Sequence, residues 1–480
     1  IYGKQPDMIS SQTLGVVKQA LLMRYPLQEK VGGKEKGSAD TGVARVPLAA
    51  NESPFVPGLQ IIERGADSAA ATISGDGLVA GTVRMGYGHY RIAYAVATHA
   101  MQRTNNVYLH DLLNVRAPGA DMIRVIDQAY SFFSRISAYI GGPLEWAWGV
   151  LLSRGNINSL FFSDMLAREL GSLISALPRE MPLISAYPLH AQIAVRAGFT
   201  NVINLVPDNY PQYFVLAPDC LNLVQGPAAY ARFRELGVPA DQLAVGGHWV
   251  SEPLSANAVA ASETRIKRAE SKKTRRILLP IGGAGAQRKY VAELLNALQG
   301  QLRENEIQLF LNAGDHPKVF SGLSKALKDL GIEYDLVDSH AGLKGFIEAN
   351  PLDGADSAGL KAVTLFHFDS HFEAFEATDL LMRVSDILAT KPSELAFFPI
   401  PKLFLRRVGD HEAASALRAQ ELGEGTVEAR EVSAVHEYVK LLCEEDDVFI
   451  AMNEAVIAAA RQGVYDGAKN AVELVLANKG

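Results

Sequence analysis

The sequence predicts an α/β protein made of two tandem, doubly wound domains that face each other across a cleft. Three observations carry that expectation. From Leu78 onward, short apolar runs alternate with helical stretches of about 10–15 residues, the pattern of βαβ units and a parallel sheet. The rhythm breaks at Ser255–Thr274 and then restarts. Each half also opens on a Gly-rich turn between a strand and a helix, Gly86-Tyr87-Gly88-His89 in the first and Gly282-Gly283-Ala284-Gly285 in the second.

Residues 1–65 lack strong periodicity and read as an N-terminal extension, with a Gly- and charge-rich loop at Lys30–Asp40. The first domain is expected over 66–254. Its strands are Leu78–Met85, Val107–His110, Leu183–Ser185, Val202–Val206, Leu221–Val224 and Leu243–Val245, and its helices include Arg91–Met101, Leu189–Ala197 and Ala228–Leu236. Residues 255–274 read as an interdomain linker whose basic cluster, Lys272, Lys273, Arg275 and Arg276, forms a solvated surface. The second domain, 275–448, is expected to carry strands Ile277–Ile281, Ile307–Asn312, Glu333–Val337, Ala362–Phe366, Ile387–Ala389 and Lys402–Leu405. The helical tail, 449–480, has the length to cross back and brace the first domain.

Composition excludes several classes. The chain has 480 residues, and 46 Lys and Arg against 53 Asp and Glu leave a net charge of −7. No bulk positive field recruits phosphates, so no nucleic-acid partner is expected. A hydrophobic share of 48% with 21% charged residues excludes general disorder. Cys220 and Cys443 are too few for a disulfide framework or a cysteine zinc site. The apolar run Ile136–Leu152 is broken by Gly141, Gly142, Pro143 and Glu145, so no spanning helix is expected. That cysteine usage makes a reducing, cytoplasmic setting the default.

Four segments could carry chemistry. At Gly86–His89, glycines let backbone approach a ligand at a helix N-terminus, and His89 is a candidate general base; the same residues also suit a plain strand–helix turn with a capping histidine. Ile281–Gln287 suits a diphosphate lying on backbone amides. Arg288 stands where a dinucleotide fingerprint has its third glycine, and no Walker lysine follows. In Thr390-Lys391-Pro392-Ser393-Glu394, Pro392 suits a first helical turn, and Glu394 could accept vicinal sugar hydroxyls or simply meet the helix dipole. Gly409-Asp410-His411-Glu412 opens a further helix after a strand, where ligands gather or where Asp410 merely caps.

Taken together these segments resemble GT-B glycosyltransferases. The likeness is greatest to the branch of monogalactosyldiacylglycerol synthases, processive diacylglycerol glucosyltransferases and the peptidoglycan N-acetylglucosaminyltransferase. The Gly-rich loop ending in Gly-His is matched by Gly86–His89, and the Gly-rich turn opening the second domain by Gly282–Gly285. The Thr-Lys-Pro stretch with its Glu and following Pro is matched by Thr390, Lys391, Pro392, Glu394 and Pro401. The final helix start is matched loosely by His411, Glu412 and Ser415.

The resemblance implies a UDP-sugar donor, no required cofactor, and an inverting transfer with His89 as base and Asp111 and Asp208 in reserve. It implies that Gly283 and Gly285 meet the diphosphate, that Glu394 holds the ribose, and that Ser393, His411 and Glu412 contact phosphates or donor sugar, with Gly86 and Gly88 lining the mouth. The acceptor would bind the first domain. The aromatic stretch Tyr130–Leu166 (Tyr130, Phe132, Phe133, Tyr139, Trp146, Trp148, Phe161, Phe162) either packs the core or faces a lipid acceptor at the inner membrane surface. Two alternatives stand beside transfer: a degenerate nucleotide-sugar binder, and a sugar-nucleotide 2-epimerase, whose Arg-Pro-Glu signature is missing. Finally, His367, Asp369 and His371 would share one face if they lay on a strand. They read better as cleft residues than as a metal site, since such sites draw ligands from several segments.

Overall fold

The computed structural model describes residues 1–6, 8–25, 46–66, 73–126, 157–281, 288–354, 360–409 and 412–478. The first sheet holds eight strands: β1 (Leu48–Glu52), β2 (Leu59–Arg64), β3 (Leu78–Thr82), β4 (Val107–Asp111), β5 (Leu183–Ser185), β6 (Val202–Leu205), β7 (Leu221–Val224) and β8 (Leu243–Val245). The second holds six: β9 (Arg275–Pro280), β10 (Ile307–Asn312), β11 (Tyr334–Val337), β12 (Val363–Phe366), β13 (Ile387–Thr390) and β14 (Lys402–Phe404). The orders are β1-β2-β4-β3-β5-β6-β7-β8 and β11-β12-β10-β9-β13-β14, and every pairing is parallel except β1 with β2. These are the two doubly wound domains that the alternation predicts. Their central strands are buried on both faces and read as apolar runs, for example IQLFLN in β10.

Strand order reverses at β3, which β4 and β5 flank, and again at β9, between β10 and β13. Crevices form outside the carboxyl ends of strands at such reversals. Register sharpens the point. Pro280, Asn312 and Phe366 lie level across β9, β10 and β12, so the turns that follow them emerge at one height.

Three expectations need correction. Residues 48–64 do not stand outside the first domain: β2 pairs with β4, and β1 closes the edge antiparallel. Short strands with polar ends (LAANE at the edge, LQIIER beside it) carry little periodic signal. Within the expected linker, Ala258–Glu270 is a helix packed along the helix Asp446–Arg461. Its arginines point inward: Arg265 donates to the carbonyls of Ser385, Pro399 and Met382, and Arg268 Nε pairs with Asp386 at 3.0 Å. Charge therefore marks a satisfied core there. The basic cluster divides likewise. Lys272 is exposed, whereas Arg276 is buried against the carbonyls of Asn350 and Pro351, and Arg275 lies 4.5 Å from the ring centroid of Phe449.

The final helix, Gly467–Ala477, packs on the first-domain helix Gly88–Ala100. Asn201 Nδ2 donates to the Val475 carbonyl at 2.8 Å, and Asn470 Nδ2 to that of Gly246 at 2.8 Å. The chain thus returns to the first domain after completing the second.

Candidate functional site

The two reversals face each other, and one cavity of about 340 Å³ lies between them. From the first domain it is lined by Gly86–His89 and Arg91 after β3, Pro188 after β5, and Asp208, Gln212 and Phe214 after β6. From the second it is lined by Ile281 after β9, Gly314 after β10, Thr390–Leu395 after β13, and Glu412 and Ser415. Small-molecule sites fall in this size range.

His89 sits in the first turn of its helix. Gly86 has φ +97°, a conformation open to glycine and strained for other residues, and it turns the chain sharply into that helix. His89 Nδ1 lies 2.7 Å from the Ala186 carbonyl. A carbonyl only accepts, so Nδ1 carries the proton and the neutral ring keeps its lone pair on Nε2. Burial lowers the imidazole pKa, against the opposing pull of that hydrogen bond and of Glu394. The ring is therefore neutral near pH 7.

Glu394 comes from the other domain. Its Oε1 accepts from Arg91 Nη1 at 2.6 Å, and Arg91 Nε lies 3.3 Å from Asp379 Oδ1. Ser251 donates to Asp379 Oδ2 at 3.0 Å. Arg91 is 3% exposed and Asp379 6%, so this is a buried clasp between domains. Burial raises Glu394, but Arg91 and Lys391 outweigh it and hold the carboxyl below its ordinary value. For Asp379 burial wins over Arg91, and its pKa rises to about 6. A Cβ on Gly88 would stand 3.3 Å from Glu394 Oε2, so glycine there lets the carboxylate close on the turn. Sequence reasoning missed Arg91 and Asp379. The available signal for Arg91 was a charge leading the largely apolar run RIAYAVATHA; Asp379 sits among Glu373 and Glu376 in HFEAFEATDLLM and carried no such signal.

Lys391 donates to Glu412 Oε1, while Glu412 Oε2 accepts from the backbone N–H groups of Val408 (2.8 Å) and Gly409 (3.3 Å). Glu412 therefore has both oxygens engaged and holds Lys391 at the cavity. Ser393 immediately precedes the short turn Glu394–Phe397, makes no side-chain capping hydrogen bond to it, and lines the cavity. Gly283, Gly285 and His411 lie outside the described residues, as does most of the aromatic stretch. Of the latter, Phe162 is buried in the first-domain core.

A second contact closes the cleft. Tyr87 donates to Asp315 Oδ1, and the Asp315 N–H donates back to the Tyr87 hydroxyl at 3.1 Å. His371 stacks on Tyr87 with ring centroids 4.9 Å apart. Burial pushes Asp315 up, but hydrogen bonds from His371 and Tyr87 prevail and hold it at about 2. His371 begins the helix His371–Met382, and β12 ends at Phe366. The face shared along a strand by His367, Asp369 and His371 is thus not formed, because the turn rotates them apart. Among the described residues, no group of three His, Cys, Asp or Glu is placed to hold a metal. The reserve base Asp111 is likewise not at the cleft. It is buried and accepts from Tyr90 Oη (2.6 Å) and from the N–H groups of Leu113 (2.9 Å) and Arg84 (3.2 Å). Asp208 does line the cavity.

Ser370 Oγ caps that cleft helix by accepting from the Glu373 N–H at 3.2 Å. Ser370→Ala is expected to cost about 1 kcal/mol, read as a lower urea midpoint with an unchanged slope.

With this geometry in place, comparison with known proteins gives the following. Residues 38–235 match a family described as Domain of unknown function (DUF6937), and residues 238–476 one described as Domain of unknown function (DUF6938). The second match takes in β8, the last strand of the first sheet. No curated protein matches. Among solved structures, the chain is similar to UDP-GlcNAc 2-epimerase from Neisseria meningitidis bound to UDP-GlcNAc, at 13% identity over 84% of this chain and 100% of that one, TM-score 0.45. It is similar to a glycosyltransferase from Rickettsia africae at 11% identity, covering 84% and 97%, TM-score 0.41. It is also similar to Anabaena HepE in complex with UDP-glucose, at 11% identity, covering 84% and 98%, TM-score 0.38.

Proposed function

We propose that the cleft binds an activated sugar as its nucleoside diphosphate, a UDP-sugar in the first instance, and that the chain transfers the sugar to an acceptor with inversion. The observation that supports this reading is the meeting in one cavity of His89, after the reversal strand β3, and Lys391, after β13 beside the reversal strand β9. The acceptor hydroxyl gives its proton to His89 Nε2 as its oxygen bonds the anomeric carbon. The bond from that carbon to the diphosphate oxygen breaks, and the diphosphate leaves with the electron pair. Lys391, held by Glu412, meets the charge that develops on the leaving group. The amides of Gly283 and Gly285 are proposed to share that load, with Ser393 and His411 beside the phosphates. Arg91 occupies Glu394 Oε1, so the ribose hydroxyls are assigned to Oε2.

Thermal unfolding with UDP, UDP-glucose, UDP-GlcNAc, ADP and GDP tests the donor. A UDP compound is expected to stabilise the fold by about 2.7 kcal/mol at a hundredfold excess over its Kd. If no nucleoside diphosphate shifts the transition, the reading fails.

A further inference from the structure

From the first-domain wall of the cleft we infer that the acceptor is a hydroxyl-rich molecule, a sugar residue rather than an acyl chain. The inference rests on the transferase reading only in calling this ligand an acceptor. The segment after β6 lines the same cavity as His89 through Asp208, Gln212 and Phe214. Gln212 is 2% exposed. Its Nε2 donates to Asp208 Oδ2 at 3.3 Å, while its Oε1 has no hydrogen-bond partner among the described residues.

Two more buried amides belong to this segment or bond its start. Asn209 has neither amide atom partnered among the described residues. Gln225 donates to the carbonyls of Val206 (3.4 Å) and Pro207 (3.2 Å), and its Oε1 is unpartnered among the described residues. Buried acceptors left unmet are costly, and apolar side chains of the same shape would avoid that cost.

An acyl chain would leave Gln212 Oε1 unmet. A hydroxyl both donates and accepts, so one sugar hydroxyl can donate to Gln212 Oε1. Phe214, half-buried, lines the same wall and adds apolar surface beside Gln212. A site built to hydrogen-bond hydroxyls rejects analogues that lack them far more strongly than an apolar pocket discriminates by size.

Saturation-transfer NMR on the full chain tests this, with and without UDP. The probes are methyl β-D-glucopyranoside, methyl N-acetyl-β-D-glucosaminide and methyl α-D-mannopyranoside. Co-sedimentation with phosphatidylcholine vesicles containing dioleoylglycerol is run in parallel. At least one glycoside is expected to bind, and Gln212→Met to weaken it about tenfold, the loss of one good hydrogen bond, with the UDP response intact. Phe214→Leu, expected to weaken the same probe several-fold, serves if Gln212→Met fails to fold. Binding by no glycoside, equal binding by both variants and the wild type, or binding to dioleoylglycerol vesicles alone overturns the inference. A UDP response without glycoside binding removes this inference and leaves the donor reading. Gln212-dependent glycoside binding without a UDP response does the reverse.

Discussion

Arg91→Met is expected to destabilise the protein by about 3–5 kcal/mol at pH 7.5, the cost of leaving buried charges without their partner. Arg91 faces Glu394 at 2.6 Å and Asp379 at 3.3 Å. Methionine fills much of the same space, so loss of packing contributes little and loss of charge dominates. Urea unfolding measures the effect. The surface pair Arg103–Glu473, at 2.6 Å with both side chains about half exposed, is the control, and Arg103→Ala should cost under about 1 kcal/mol. Equal, small penalties at both sites would show that the clasp contributes nothing.

The pH dependence of that penalty has a definite sign. Asp379 has its folded pKa raised to about 6 against an ordinary 3.8. Between those values the folded state holds a proton that the unfolded state has released, so this group adds stability as pH falls through 6 toward 4. Removing Arg91 takes away the cation that opposes burial, which raises the Asp379 pKa further. The Arg91→Met penalty should therefore shrink at pH 5.5 relative to pH 7.5. Asp315 acts in the next window down. Its pKa is lowered to about 2, so its contribution is present above pH 3.8 and is lost below it. His89, lowered by burial, opposes Asp379, because the unfolded histidine gains a proton below its ordinary pKa that the folded one refuses. Comparing mutant with wild type at each pH cancels that shared background.

Much of this arrangement was legible in the residues, for reasons that can be named. Strands β5, β7, β8 and β10 are apolar runs bounded by turn residues, and their limits follow from the sequence to the residue. The turns carrying His89 and Lys391–Glu394 were legible because strand–helix junctions of parallel sheets converge on one end. What stayed hidden depends on contacts distant in the chain. Arg276 reads as part of a solvated cluster until the carbonyls of Asn350 and Pro351 bury it, and Arg265 and Arg268 find Ser385, Asp386 and Pro399 only in the fold. Arg91 reads only as the start of a helix until the second domain brings Glu394 against it. Glu412 lines the cavity, but its tie to Lys391 and to two backbone N–H groups appears only in the fold. Local pattern reports which turns gather at one end of a sheet; the packing of one domain on the other decides which side chains there are already paired.

The second large effect concerns His89 as the proposed base. His89→Ala is expected to lower kcat by about 10²–10⁴, the usual worth of a positioned general base, with the Kd for UDP little changed, because the diphosphate is assigned to the opposite domain. His89→Gln should be nearly as slow: it can keep a hydrogen bond to the Ala186 carbonyl but has no basic nitrogen. The pH profile separates this role from a structural one. With Nδ1 tied to Ala186, protonation falls on Nε2, so activity should fall with acidification only below the ordinary histidine pKa, since burial lowers this one. That limb should vanish from the residual rate of His89→Gln. Single-turnover rates with saturating UDP-sugar across pH 4.5–8 measure both. A His89→Ala rate within threefold of wild type, or an acid limb that survives the substitution, would assign the proton transfer to another group, and Asp208 at the same cavity would be the first to replace.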